Sequence, residues 1–68
     1  MFDNAVMFIP SFICKYLMYI GNKNNISLYK HIETRRYINV DKNGNFYRFN
    51  NSIYELISKE EAIRHVLS

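Results

Sequence analysis

Sixty-eight residues make one small domain, and a domain near that size buries only ~60% of its unfolded surface, so it gains from a partner or a second copy. Cys14 is the only cysteine, which excludes an internal disulfide and points to a reducing compartment, the cytoplasm. At 49% hydrophobic the chain is too apolar for disorder, and a net charge of +3 with a pI of 9.2 permits an anionic partner without requiring one.

The first element predicted is a helix over residues 10–20. Pro10 and Gly21 bracket SFICKYLMYI as start and stop. Phe12, Ile13, Tyr16, Leu17 and Ile20 fall on one helical stripe, while Cys14, Met18 and Tyr19 lie off it and are also apolar. A helix apolar nearly all round must be covered on more than one side. Self-association into a homo-oligomer through Phe12, Tyr16, Leu17, Tyr19 and Ile20 is therefore expected. Between Ala5 and Ile20 the only charge is Lys15, but sixteen residues fall short of the roughly 20 that a spanning helix needs. Asp3 precedes the stretch where a secretory signal would carry positive charge. No membrane partner is expected.

GNKNN, residues 21–25, is a loop. From Ile26 the period becomes two: ISLYKHI, RYINV, NFYRF and SIYEL alternate between turn residues. They predict a four-stranded antiparallel meander over residues 26–57, with turns at Glu33-Thr34, Asn43-Gly44 and Asn50-Asn51. An even loop about Asn43-Gly44 sets Val40 against Tyr47 and Ile38 against Phe49, and this parity segregates apolar from polar. Tyr54 then lies opposite Tyr47. One face carries Ile26, Leu28, Ile38, Val40, Tyr47, Phe49, Tyr54 and Leu56. The other carries Tyr29, His31, Tyr37, Asn39, Phe46, Arg48, Ile53 and Glu55.

The last element is a helix over 59–67. Ser58 is its N-cap, with Glu61 three residues on. Ala62, Ile63, Val66 and Leu67 form its apolar stripe. A single helix over 52–67 also fits the period, but Ser58 inside it and the Tyr and Ile before it favour a strand. The fold class expected is α+β, with one helix packed on each sheet face.

Candidate sites are few. Asp41, Asn43 and Asn45 alternate as calcium ligands do, yet the places for an EF-hand glycine and glutamate hold Phe46 and Ser52. The stretch reads as a turn. Cys14, His31 and His65 lack any paired metal spacing, so no metal and no cofactor are expected. No nucleophile–base pair or glycine-rich phosphate loop is present, so no enzymatic activity is expected.

What remains is a surface. Arg35, Arg36, Tyr37 and Arg48, with Tyr29 and His31, combine cations and rings as protein hot spots do. The expected function is a non-catalytic binding protein that occludes or bridges a protein partner. Nine Asn and nine Ile against two Gly fit an AT-rich genome, and with it an inhibitor or accessory factor of a phage or mobile element. The alternative is sequence-tolerant nucleic-acid binding through the same residues, by stacking and phosphate contact.

Overall fold

Five strands lie side by side in the order of the chain: β1 (Leu17–Lys23), β2 (Ile26–His31), β3 (Tyr37–Asp41), β4 (Phe46–Asn50) and β5 (Ile53–Ile57), every neighbouring pair antiparallel. The computed structural model describes residues 4–68. A 3-10 turn (Asn4–Phe8) and one turn of helix, α1 (Ser11–Cys14), precede the sheet, and α2 (Lys59–Leu67) follows it. The class is α+β, with five strands where four were expected.

The N-terminal helix over 10–20 is corrected to that single turn. Pro10 does start it, at φ −54°, and its carbonyl accepts from Ile13 N and Cys14 N. The helix then gives way, because Tyr16 to Ile20 are ring-bearing, β-branched or long apolar residues that suit a pleated surface. From Leu17 burial alternates: Leu17 buried, Met18 exposed, Tyr19 half-buried, Ile20 exposed. Gly21 does not stop a helix. It lies within β1, where the register shifts between Tyr19 and Gly21 and Ile20 forms a bulge.

Of the three meander turns expected, the one about Glu33-Thr34 agrees with the register, Tyr29 lying opposite Ile38, and the other two differ. Val40 pairs with Phe46 and Asn39 with Tyr47, so the β3–β4 loop is odd, not even. Asp41 is the reason. Its Oδ1 accepts from Asn43 N and Asn45 N, both at 2.9 Å, and its Oδ2 accepts from Asn45 Nδ2 at 3.1 Å and Tyr47 Oη at 2.8 Å. That carboxylate holds a three-residue loop, Lys42 to Gly44, with Asp41 N donating to Asn45 O. Gly44 closes it at φ +88°, and a Cβ there would lie 2.9 Å from Phe8 Cδ1. The β4–β5 turn sits at Asn51-Ser52, both at positive φ, so Tyr54 opposes Phe49 instead of Tyr47.

The odd loop exchanges the faces of half the sheet, as a one-residue slip must. Tyr29, His31, Ile38, Val40, Phe46 and Ile57 share the covered face. Tyr47, Phe49, Tyr54 and Leu56 share the other with Leu28. On β2 the pairing of Tyr29 with Ile38 turns Tyr29 and His31 to the core and puts Ile26 and Leu28 on the other side, Ile26 still buried there. Ala5, Ile9 and Ile13 from the N-terminal turns and Ala62 and Val66 from α2 all join the same core. One helix per face is therefore also corrected: the helical segments among the described residues lie on one side.

The C-terminal reading is shown by the structure. Residues 53–57 are a strand, and Ser58 Oγ accepts from Glu61 N at 3.0 Å to cap α2. Ala62 and Val66 are buried and Ile63 packs on the core, but Leu67 is exposed.

Candidate functional site

The β3–β4 ladder consists of two pairs and ends at Asn39–Tyr47. The next positions, Ile38 with Arg48 and Tyr37 with Phe49, are unpaired, although β3 stays paired with β2 and β4 with β5. The sheet is split there. A groove of about 430 Å³ occupies the split, a size in the range that holds ligands. Arg35, Arg36 and Tyr37 line one bank and Arg48, Phe49 and Tyr54 the other. Ile20, Leu28, Asn39 and His65 complete the lining.

Each bank has a local cause. The β2–β3 turn is fastened by His31, whose Nδ1 accepts from Glu33 N at 3.1 Å and Thr34 N at 3.2 Å. His31 N donates to Arg36 O, and Arg35 N to His31 O. Thr34 Oγ1 donates at 2.6 Å to Val66 O and ties the turn to the end of α2. Arg35 sits in this frame at φ +68°, a conformation that costs a side-chain-bearing residue about 1 kcal/mol or more. A glycine would hold that turn with less strain, yet an arginine is found.

On the other bank, Arg48 Nε lies 3.2 Å from Glu55 Oε1, an exposed pair of the kind that contributes little to stability. The rings of Phe49 and Tyr54 meet at 5.0 Å. Arg35 and Arg36 have no ion pair among the described residues, so the groove keeps an excess of positive charge.

At the groove, Asn39 is 3% exposed. Its Nδ2 donates to Tyr47 O at 3.2 Å, while its buried Oδ1 has no hydrogen-bond partner among the described residues. A buried acceptor left unmet costs about 1–3 kcal/mol, and among the described residues no donor meets this oxygen.

Four of the six residues expected to bind a partner, Arg35, Arg36, Tyr37 and Arg48, converge on this groove. Tyr29 and His31 do not. Tyr29 is fully buried and His31 braces a turn, its ring stacked 5.5 Å from Tyr16. The self-association set also divides. Leu17 and Tyr19 belong to the core and Tyr16 is half-buried; Phe12 and Ile20 are exposed. The all-round apolar helix that motivated the set does not exist. Asn39, Phe49 and Tyr54 were missed as site residues. The Asp-x-Asn-Gly-Asn pattern at 41–45 was the signal, since side-chain bonds from Asp to the next backbone amides favour the longer loop.

Other chemistry is spoken for. Burial alone would push the Asp41 carboxyl up, but the bonds from Asn45, Tyr47 and Asn43 together hold it below the usual carboxylate range. Tyr47 is pushed up, first by its hydrogen bond to Asp41, then by burial and the Asp41 charge. Burial pushes the Cys14 thiol up against a smaller lowering from its backbone bond, and Sγ donates to Ile9 O at 3.5 Å. Among the described residues no three His, Cys, Asp or Glu cluster as metal ligands would, and no helix is long and apolar enough to cross a membrane. Comparison with protein-family models, curated proteins and solved structures gives no match.

Proposed function

We propose that this chain is a non-catalytic binding protein whose uncovered sheet face docks a protein partner, occluding a surface of that partner or bridging it to another. The one-sided placement of the helical segments carries this reading. It leaves Met18, Ile20, Phe49 and Leu56 exposed on one sheet face, Leu56 at 68%, with Tyr37 and Tyr54 between the edges. Aromatic and aliphatic side chains held rigid on a sheet, with arginines beside them, are what a protein interface is made of. The Cys14 thiol, raised and half-buried, and the Asp41 carboxylate, spent on a turn, supply neither an activated nucleophile nor a general base to the groove. The setting proposed is the cytoplasm, which the lone Cys14 suits, and the role that of an inhibitor or accessory factor of a phage or mobile element.

A second reading is nucleic-acid binding, supported by Arg35, Arg36 and Arg48 opening onto the same groove as Tyr37, Phe49 and Tyr54. Site-specific photo-crosslinking in the native host separates the two. A crosslinker at Leu56 is expected to give one discrete protein adduct that the same group at Glu60, on α2, does not give. An adduct of twice the chain mass would assign the face to self-association instead. Saturable oligonucleotide binding, steep in salt and lost in Arg35→Ala with Arg36→Ala, would replace the first reading by the second.

A further inference from the structure

Resting on that docking reading, we infer that the partner enters the groove as an extended, acidic segment, seated in the split between β3 and β4. Three independent features converge there. The split leaves the backbones of Tyr37 and Phe49 unpaired with each other, although both belong to strands and lie opposite in the continued register. Each bank thereby offers one residue's unpaired main chain, Tyr37 or Phe49, to an extended segment laid along the split.

Charge is the second feature. Arg35 and Arg36 stand unpaired among the described residues on one bank, and Arg48 shares only an exposed pair with Glu55 on the other. Carboxylates on the incoming segment complement them, and forked guanidinium groups suit carboxylates in particular. Thirdly, Asn39 Oδ1 is buried without a donor among the described residues. An N–H brought to the base of the groove supplies one.

The same features weigh against a nucleic-acid strand. A phosphodiester backbone has no N–H and cannot continue a ladder. The aliphatic lining from Ile20 and Leu28 suits the alternate apolar side chains of a strand, not a succession of stacked bases. Arg35, at φ +68°, presents its guanidinium on the bank from a turn that glycine would hold with less strain.

Fluorescence anisotropy on the full chain tests the inference with a labelled peptide of alternating Glu and Val. Three controls are needed: a Lys and Val peptide, the Glu peptide with alternate backbone amides methylated, and labelled oligothymidylate. The Glu peptide is expected to bind saturably and the Lys peptide not at all. Methylation is expected to abolish binding, and Arg35→Gly with Arg36→Ala to weaken it about tenfold or more. Arg35→Gly relieves the turn, so loss of binding in that variant is not loss of fold, and its thermal melt verifies this. Equal binding of Glu and Lys peptides, indifference to methylation, or displacement of the peptide by lower concentrations of oligothymidylate would each overturn the inference. If no peptide binds while Leu56 still crosslinks to a partner, the groove is refuted and the docking face stands. If both fail, both fall.

Discussion

The two faces of the sheet carry similar side chains and meet opposite fates. On one, Tyr29, Ile38, Val40 and Phe46 are closed over by Ala62, Val66, Ile9 and Ile13. On the other, Leu28, Tyr47, Phe49, Tyr54 and Leu56 are no less apolar, and no helical segment covers them. The helical segments among the described residues all pack on the first face and leave the second open. The contrast shows that apolar content alone does not locate a core. The small residues Ala62 and Val66 on α2 decide which face it is, because they let the helix approach closely.

Substitutions can break or sharpen that contrast. The largest effect is expected from Tyr29→Ala on the covered face, about 3–5 kcal/mol by analogy with other large-to-small aromatic changes. Stability for a chain of this length is on the order of 3–10 kcal/mol, so a circular-dichroism melt of the variant should show little or no cooperative transition. Asp41→Asn should cost about 1–3 kcal/mol by weakening the bonds that hold the β3–β4 loop. Because folding lowers the Asp41 carboxyl, its contribution is present above the ordinary value near ~3.9 and is lost as pH falls through the folded value. Urea midpoints of the native chain should therefore drop in acid, and those of the variant should drop less.

Gly44→Ala combines positive φ with the Phe8 ring and is expected to cost about 1–2 kcal/mol in the same urea titration. Ser52→Gly acts in the opposite direction. Ser52 sits at φ +72°, and glycine there should raise stability by up to about 1 kcal/mol, read as a higher melting temperature. Met18→Ser on the uncovered face, where Met18 is exposed, should change stability by less than about 0.5 kcal/mol while weakening the partner adduct formed by the crosslinker at residue 56. That pairing, silent in the melt and decisive in crosslinking, is the clearest measure of how the faces differ.

Ser58 and Glu61 announced α2 in the sequence, and Tyr and Ile at 53–57 announced β5. β1 was hidden because SFICKYLMYI satisfies both periods. Ile13 and Leu17 reach the core whether the chain between them is helix or turn and strand, and only tertiary pairing with β2 decides. The register was hidden by Asn43-Gly44, a dipeptide that signals a two-residue loop, while the Asp41 carboxylate fixes one of three. In the groove, Arg35, Arg36, Tyr37 and Arg48 were legible because exposed charge beside a ring has few structural uses. Asn39, Phe49 and Tyr54 were not, since their side follows from the parity of that loop.

The interrupted β3–β4 ladder also bears on how the molecule yields. Two paired positions join a three-stranded unit, β1 to β3, to the β4–β5 hairpin, and α2 spans the junction, in contact with both strands that flank it. Such a seam is where sub-global opening is least costly. Amide protons on either side of it should therefore exchange with deuterium as two cooperative groups, the hairpin before the three-stranded unit, and an occupant of the groove should bring the two rates together.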